Sequence, residues 1–395
     1  MLNANSILKT LQYISLLIAL FISSAIIAVG DISPEIRKIT PPKLDTHNFG
    51  KKIICYRPMR RTAPNMTLEI VSNKVVIHNY GHGGSGWTLG PGSAKYVNDL
   101  LLNSKSTVTI DAPITVIGAG ALGLFTAYDL YIRGYKNITI VAEKFDALTS
   151  HNAGGLIAPV SMDNAPEMQK NIDKIGVDAY QFFKTIAIKK HPHFKDGATI
   201  IPSYWSSRAD SGLEPYVGKV MRPAKDVVLD FGNGTTRNMV AYDDSIFVDT
   251  PRMLLNLTQY LKSQNIKFVH KKIKNFSEIS DLYIMNCSGL GSTELNSDKE
   301  LIAVQGHLIM LEHQNPEDLQ YMILVYLDEG KTNSGQKIKR SFYMFPKKLL
   351  NSDIGNIGVI GGTFIEGTNE ANEKEFDIII KNAQKFYYGN AIARD

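Results

Sequence analysis

Two glycine-rich segments of this chain have a spacing that lets the backbone come close to a bound phosphate group. One is Gly118-Ala119-Gly120-Ala121-Leu122-Gly123, and the other, upstream of it, is Gly81-His82-Gly83-Gly84-Ser85-Gly86. In a G-x-G-x-x-G turn the first glycine allows a tight turn, the second lets backbone approach a pyrophosphate, and the third lets helix and strand pack closely. The N-terminus of the helix that follows then favours negative charge. The pattern predicts a dinucleotide as ligand.

The elements around the Gly118 turn must hold it in place. The apolar run Ile114–Ile117 predicts a buried strand before the turn, and an apolar helix follows it until Gly134. Ile138–Ala142 predicts the next strand and ends at Glu143. A strand, glycine turn, helix, strand and terminal acid in this order indicate a βαβ unit in which the acid accepts hydrogen bonds from a ribose.

Composition limits the class of protein. The chain has 395 residues, 44% of them hydrophobic and 21% charged, which predicts a globular protein of about two domains. Its formal net charge of +5 is dispersed, so the focused basic face that nucleic acid requires is absent from the sequence. We therefore expect no nucleic-acid partner.

The N-terminal stretch is apolar. Residues 10–30 carry no charge and end in small residues, which is typical of a secretory signal peptide within residues 1–30. Their length also fits an uncleaved membrane anchor. The sequence thus predicts export to the periplasm or the medium, or membrane attachment through this stretch. Residues 31–52 are polar and proline-containing, and predict a loop or extended arm before regular structure begins near Ile53.

Cysteine and histidine do not suggest a metal site. Cys55 and Cys287 are the only cysteines in the sequence; they could pair in an exported protein, but their settings predict two free buried thiols. His191 and His193 form a weak metal-like pair without further ligands, and we expect them at the surface. We therefore expect no bound metal.

Several segments carry a family resemblance. Val76–Thr88 closely resembles the C-terminal flavin-binding signature of the D-amino-acid oxidase and D-aspartate oxidase family, and Tyr56–Arg60 resembles the arginine-proline segment that precedes it there. Thr149–Leu156 is similar to the family's loop around the pyrophosphate and flavin, and Asn286–Gly289 to a later flavin-contacting strand end. Shorter matches extend the likeness over most of residues 53–363, in Gln305-Gly306-His307 and Tyr343-Met344-Phe345-Pro346.

The order of these segments differs from the family. There the βαβ unit opens the chain and the His-Gly-Gly segment closes it, whereas here the closing segments come first. The sequence therefore resembles a circularly permuted member. The resemblance implies an α/β fold: a Rossmann-like FAD-binding domain with a mixed-sheet α+β substrate domain. The predicted segments are a substrate-domain piece at 53–70, the FAD-binding core at 71–160, mainly substrate domain at 161–265, a return to the FAD domain at 266–300, and mainly substrate domain at 301–395.

FAD is the cofactor that the resemblance implies, with contacts from both glycine segments, the loop and the strand ends. The expected cofactor-binding residues are Gly83, Gly84, Ser85, Gly86, Trp87, Thr88, Gly118, Ala119, Gly120, Leu122, Gly123, Glu143, Lys144, Thr149, Ser150, Gly155, Leu156, Ile273 and Ser288.

A second set of residues is expected to bind the substrate. Arg57 matches the family's carboxylate-binding arginine, Tyr343 matches a tyrosine that hydrogen-bonds the same carboxylate, and Gly84 lies at the substrate side of the glycine loop. A second family tyrosine is replaced by Lys339, which either attracts an acidic side chain or belongs to a solvated face. His82 is expected to steady its loop and not to act as a base.

The resemblance implies oxidative deamination of a D-amino acid, with hydride transfer to the flavin and no catalytic protein acid or base. Two related readings stay open: a glycine or secondary-amine oxidase, and an enzyme that passes electrons to a membrane quinone instead of oxygen. A flavin-binding module without turnover is the alternative of another class. A homo-oligomer is compatible with each of these.

Overall fold

The structure is a computed structural model that describes residues 34–104, 108–160, 162, 164–332, 334–348, 357–367 and 370–389. These residues form two large sheets, one two-stranded sheet and seven α-helices. The strands are β1 (Glu35–Lys38), β2 (Phe49–Arg60), β3 (Leu68–Val71), β4 (Lys74–His78), β5 (Ile114–Ile117), β6 (Ile138–Ala142), β7 (Ala198–Ile200), β8 (Ser203–Trp205), β9 (Lys225–Asp230), β10 (Thr236–Tyr242), β11 (Ile246–Val248), β12 (Lys267–His270), β13 (Tyr283–Asn286), β14 (Leu301–Leu311), β15 (Met322–Lys331), β16 (Lys337–Lys348) and β17 (Ile357–Glu366).

The helices lie between these strands and after the last one. They are α1 (Gly86–Leu102), α2 (Ala121–Ile132), α3 (Thr149–Asn152), α4 (Pro166–Ala187), α5 (Thr250–Ser263), α6 (Ser292–Leu295) and α7 (Lys374–Tyr388). Helix α1 begins directly after the upstream glycine segment and contains Pro91. The buried Trp87 packs edge-on against Phe125 of α2 with ring centroids 5.7 Å apart, so tertiary contact outweighs the poor helix propensity of this segment.

The six-stranded sheet has the order β12-β6-β5-β13-β4-β3. Its neighbours are parallel except for β3 and β4, which pair antiparallel. All residues of β5 and β13 are buried, as expected for parallel strands covered on both faces. Strands β5 and β6 with α2 between them form the βαβ unit that the sequence predicts, and the carboxyl ends of β5, β6, β12 and β13 meet at one edge.

The nine-stranded sheet is mixed, with the order β1-β9-β10-β8-β15-β16-β17-β14-β2. Helix α7 covers one face, where its Phe376, Ile379 and Phe386 join a core that includes Phe342 and Met344 of β16. The opposite face of β16 turns toward the six-stranded sheet. The predicted α/β class with mixed sheets is confirmed.

Two segment predictions need correction. The segment 31–52, expected as a loop or extended arm before regular structure begins near Ile53, already contains β1, which pairs parallel with β9, and the start of β2 at Phe49. The polar side chains of β1 reflect its exposed position at the edge of the sheet, while its backbone still pairs with β9. The segment 53–70 contributes to both sheets, since β3 pairs with β4. The predicted leader at residues 10–30 lies outside the described residues.

Candidate active site

A long cavity of about 700 Å³ opens at the carboxyl ends of the parallel strands. Its lining includes both glycine segments, the loop after β6, the residues after β12 and β13, and part of β2. A crevice at the carboxyl ends of parallel strands is the usual ligand site of such sheets, and the volume suits an extended cofactor.

The Gly118 turn forms the centre of this cavity. Gly118 has φ +107° and donates its N–H to the carbonyl of Val141 at 2.9 Å. Helix α2 then begins at Ala121 with Gly120 as its N-cap and no side-chain cap, so part of its first turn is left to a ligand. A Cβ on Gly123 would overlap the Gly118 carbonyl oxygen. Gly118 and Gly123 therefore have the turn and packing roles that the sequence predicts for them.

The loop from Thr149 to Gly155 is held to both sides of the cavity. Trp87 Nε1 donates to the Ser150 carbonyl at 2.9 Å, and Ser150 Oγ accepts from the Ala121 N–H at 3.1 Å. Thr149 Oγ1 donates to the Tyr56 carbonyl of β2 at 3.2 Å. This loop, the first helix and the arginine-proline strand thus form one connected wall.

A buried lysine holds the same loop through hydrogen bonds to its carbonyl groups. Lys347 is 1% exposed, and its Nζ donates to the carbonyls of His151 at 2.9 Å and Ala153 at 2.6 Å and to Thr250 Oγ1 at 2.8 Å. Burial lowers the pKa of Lys347 to about 8, while Asp249 favours its charged form. All three donors of the ammonium group are satisfied, as a buried charge requires.

Arg57 and Tyr343 meet at the end of the long cavity on the nine-stranded sheet. The Arg57 guanidinium lies over Gly306 of β14, and the Tyr343 ring lies over Gly361 of β17; a Cβ on either glycine would overlap these groups. Burial raises the pKa of Tyr343, and the nearby Arg57 opposes this shift. Within the described chain, Arg57 has no carboxylate at ion-pair distance, although it donates to the Thr363 carbonyl at 3.2 Å.

A side cavity of about 220 Å³ adjoins this point. Arg57, Gly84 and Tyr343 line both cavities, together with Trp87, Ala153 and Gly154. Further walls of the side cavity come from Leu324 and Tyr326 of β15, Lys339, Ser341 and Phe345 of β16, and Thr363 and Phe364 of β17. The three residues predicted to bind substrate therefore lie where the two cavities join.

The buried titratable groups beside the long cavity are in neutral forms near neutral pH. Burial lowers the pKa of His82 to about 3 and raises the pKa of Cys287 to about 12. His82 Nε2 shares a hydrogen bond with Ser93 Oγ at 3.0 Å, and its buried Nδ1 has no partner among the described residues. Cys55 and Cys287 are both free and buried, which confirms that prediction.

Most of the predicted cofactor residues surround the long cavity. Those that line it are Gly83, Gly84, Gly86, Trp87, Gly118, Ala119, Gly120, Leu122, Glu143, Lys144, Thr149, Ser150, Ile273 and Ser288. Gly155 and Leu156 line the side cavity instead.

Three predicted residues line neither cavity. Ser85 Oγ donates to the Val160 carbonyl at 2.7 Å, and Thr88 Oγ1 donates to the Ala158 carbonyl at 2.8 Å, so both hydroxyls hold the loop and not a ligand. Gly123 acts through close packing.

Sequence reasoning missed several residues of the site. Lys271 and Lys272 follow β12 directly and line the long cavity, and they form ion pairs with Glu278 at 3.2 Å and Glu294 at 3.5 Å. Their position at the end of a strand parallel to β6 was a usable signal. The sequence gives no such signal for Tyr326 and Lys347, because their positions in the site depend on the pairing of strands that are distant in sequence.

The remaining expectations concern groups away from the cavities. His193 is exposed as predicted, but His191 is 4% exposed, because it stacks on Phe194 at 4.9 Å and its Nδ1 accepts from the Phe194 N–H at 3.1 Å. No cluster of three or more potential metal-ligating side chains occurs in the described part of the chain. Within the same residues, none of the helices has the length and apolarity to cross a membrane.

Known proteins resemble this chain at low identity. D-aspartate oxidase from Homo sapiens is 25% identical over 216 residues, which cover 51% of this chain and 60% of the relative. D-amino-acid oxidase from Dictyostelium discoideum is 22% identical over 220 residues, or 52% of this chain and 59% of the relative. The chain thus spans about 60% of the length of these two relatives.

Solved structures give a weaker likeness. Glycine oxidase from Geobacillus kaustophilus superposes with a TM-score of 0.48 at 15% identity, covering 70% of this chain and 78% of that one. Fructosamine oxidase from Aspergillus fumigatus (Amadoriase II) gives a TM-score of 0.47 at 15% identity, covering 71% of this chain and 73% of that one.

The family model DAO, FAD dependent oxidoreductase, matches residues 113–394, well over half of the chain. This chain therefore belongs to the DAO family of FAD-dependent oxidoreductases.

Proposed function

We propose that the chain binds FAD and catalyses the oxidative deamination of a D-amino acid. The net reaction consumes the amino acid, oxygen and water and yields a 2-oxo acid, ammonia and hydrogen peroxide. One observation carries the substrate proposal: the Arg57 guanidinium lacks a carboxylate partner in the described chain and faces the side cavity beside Tyr343. A planar guanidinium there can bind a substrate carboxylate through two parallel bonds.

The long cavity fits FAD in its chemistry. The N-cap of α2 makes no side-chain hydrogen bond, so the backbone N–H groups after Ala121 can bind a pyrophosphate. The exposed carboxylate of Glu143, directly after β6, can accept hydrogen bonds from ribose hydroxyls. At the other glycine segment, the buried Nδ1 of His82 is an unsatisfied polar atom on the cavity lining. When bound, FAD supplies the two-electron acceptor for the substrate's Cα–H bond.

The chain's own residues orient the substrate and leave its amine free. Arg57 and the Tyr343 hydroxyl hold the carboxylate, and Phe345, stacked on Tyr343 with centroids 4.7 Å apart, fixes the tyrosine ring. Neither a carboxylate nor an imidazole lines the side cavity within the described residues. We therefore infer that no protein base takes the amine proton, which leaves to solvent.

Flavin absorbance tests the proposal. The purified protein should show bound flavin, and anaerobic addition of D-amino acids should bleach it while the L-enantiomers should not. Bleaching by glycine or sarcosine alone would favour an amine oxidase, and bleached protein that reoxidises with quinone but not with oxygen would favour a dehydrogenase. A colourless protein that takes up no FAD would overturn the proposal, and bound flavin that no substrate bleaches would favour a binding module.

We also propose that the chain is a circular permutant of the family. The family match starts at residue 113, so the segment from Phe49 to Leu102 precedes it, yet β4 pairs with β13 and Gly83 shares a cavity with Gly118. The C-terminal helix lies against the start of the described chain, where Tyr388 Oη donates to the Pro42 carbonyl at 2.8 Å. A rearranged chain in which Tyr388 is linked to Pro42 and the new N- and C-termini lie between residues 104 and 108 should fold and bind FAD.

Export through the apolar stretch at residues 10–30 remains a proposal that rests on sequence alone. Fractionation of cells that make the full chain, with N-terminal sequencing of the product, tests it. Recovery of uncleaved chain in the soluble cytoplasm would contradict both the signal peptide and the anchor.

A further inference from the structure

A β-bulge in β17 carries the carbonyl group to which Arg57 donates. The register between β14 and β17 shifts so that Thr363 and Phe364 lie opposite the single residue Gly306. Thr363 has φ +67°, the left-handed conformation that glycine usually adopts in a bulge. A bulge of this kind turns a backbone group out of the strand ladder, and here that group is the acceptor for the guanidinium.

The two polar groups of Thr363 serve opposite faces of the nine-stranded sheet. Its carbonyl accepts from Arg57 on the face that bears the cavities. Its Oγ1 lies 2.6 Å from Nδ1 of His307, and the His307 ring packs edge-on against Phe376 of α7 with centroids 5.0 Å apart. A change on the α7 side of the sheet can therefore reach the guanidinium through one residue.

The partners of His307 determine which of its nitrogen atoms carries the proton. Nε2 lies 2.8 Å from the carbonyl of Asn372, which can only accept, so Nε2 is the donor. Burial lowers the pKa of His307 to about 4, so the ring is neutral near pH 7 and Nδ1 is an acceptor. The Thr363 hydroxyl therefore donates to Nδ1, which fixes the side chain of the strained residue.

The segment before α7 is held to the sheet by a second buried side chain. Gln305 Nε2 donates to the carbonyl of Glu370 at 2.6 Å, and its Oε1 accepts from the N–H of Asn372 at 3.1 Å. Gln305 and His307 are both fully buried. The Asn372 carbonyl that supports His307 is therefore itself held in place.

We propose that His307 is a positioning residue for substrate binding, which holds the Arg57 guanidinium through Thr363 in the orientation that binds a carboxylate. This inference rests on the proposed function for the role of Arg57. His307 lines neither cavity, so it acts through Arg57 and touches no reacting atom.

Two amide replacements separate positioning from packing. An asparagine amide lies near the position of Nδ1 and can still accept from the Thr363 hydroxyl, whereas a glutamine amide lies near Nε2 and keeps only the bond to Asn372. In FAD-loaded full-length protein, His307→Asn should keep KM for the best amino acid within about threefold of the parent, and His307→Gln should raise it about tenfold. In both variants kcat should change less than about threefold, because Arg57 binds the carboxylate equally before and during the reaction.

Thr363 provides the same test from the other end of the bond. Thr363→Ser keeps the hydroxyl and should resemble the parent, while Thr363→Val keeps the shape without the hydroxyl and should raise KM about tenfold. Phe386→Leu is the control, since it loosens the core under α7 and should lower the melting temperature without a change in KM. A KM that follows the melting temperature across all these variants would overturn the inference, because it would show a structural role alone.

A crystal structure tests the proposed link without turnover. His307→Gln should show Thr363 with a negative φ and the Arg57 guanidinium displaced from its carbonyl. Unchanged positions of both residues would overturn the inference.

Binding of butyrate, a simple carboxylate, separates this inference from the proposed function. Its affinity, measured by thermal shift, should fall about tenfold in Thr363→Val and His307→Gln. If it does but no amino acid bleaches the flavin, the reaction is wrong and the positioning is right. If Arg57→Ala abolishes butyrate binding while the other two variants bind like the parent, the positioning is wrong and the carboxylate site stands. A parent protein that neither binds butyrate nor is bleached by any amino acid would overturn both.

Discussion

Arg57 Nη1 donates to the backbone carbonyl of Thr363 at 3.2 Å, and Thr363 adopts a left-handed conformation with φ +67°. A β-branched residue rarely takes this conformation, so something must hold it there. His307 does so, because its Nδ1 lies 2.6 Å from Thr363 Oγ1 while its Nε2 lies 2.8 Å from the Asn372 carbonyl. The guanidinium is thus oriented by a strained carbonyl that a buried histidine keeps in place.

Replacement of Arg57 should affect substrate binding more than folding. Arg57→Lys keeps the positive charge but loses the planar pair of donors, so kcat/KM for the best amino acid should fall about tenfold to a hundredfold. Arg57→Ala should lose more. Steady-state kinetics on flavin-loaded protein measures both.

The control for Arg57 is Arg61→Ala, which removes an exposed arginine 3.9 Å from Glu366 and away from both cavities. It should leave kcat/KM within twofold of the parent. Equal activity of Arg57→Ala and the parent would exclude Arg57 as the carboxylate ligand.

The third glycine of the nucleotide turn should be indispensable for folding. A methyl group at Gly123 would overlap the Gly118 carbonyl oxygen, which is backbone and cannot rotate away. We expect Gly123→Ala to destabilise the protein by about 3 kcal/mol or more, at the upper end of overpacking costs. Urea unfolding of Gly123→Ala beside Gly86→Ala, where a methyl group meets open space, is the measurement. Equal stability of the two variants would contradict the packing role.

The nucleotide turn could be predicted from sequence because its signals are local. Strands β5 and β6, helix α2 and Glu143 lie within thirty residues, so their spacing alone fixes their relation. The glycines of the upstream segment were identified through the resemblance, and Gly83, Gly84 and Gly86 line the long cavity. Fourteen of the nineteen residues expected to contact the cofactor line the long cavity.

The other parts of the site depend on non-local pairing. Tyr326 lines the side cavity only because β15 pairs with β16. Lys347 reaches the loop from Thr149 to Gly155 only because β16 continues past Tyr343 toward α5. Hydrophobic pattern gives the faces of these strands but not their neighbours. The position of Ser85 and Thr88 outside the cavity lining has the same cause, since their hydroxyl groups donate to carbonyls that are distant in sequence.

Lys347 should act as a positioning residue for the cofactor loop. Lys347→Met removes all three hydrogen bonds to the loop and to Thr250, which leaves the partly buried carbonyls of His151 and Ala153 to share the Thr250 hydroxyl, 3.2 Å from each. We expect FAD affinity to fall at least tenfold, with a smaller change in the substrate KM of the fully loaded protein. Flavin fluorescence titration measures this, with the exposed neighbour Lys348→Met as control. An unchanged FAD dissociation constant would contradict the role.

Stability should fall as the pH is lowered below about 6.5. Burial lowers the pKa of His82 to about 3 and those of His191 and His307 to about 4, whereas an unfolded histidine titrates near 6.5. Between these values the unfolded chain binds protons that the folded chain does not, so the stability present above pH 6.5 is lost as the pH falls toward 4. Each histidine contributes up to about 1.4 kcal/mol per pH unit in that window.

Urea unfolding at pH 7, 6 and 5 should show this slope. His191→Asn, whose amide oxygen can still accept the backbone N–H groups, should reduce the slope by the contribution of one histidine. A free energy of unfolding that stays level or rises toward pH 5 would mean that these imidazoles become charged inside the folded protein.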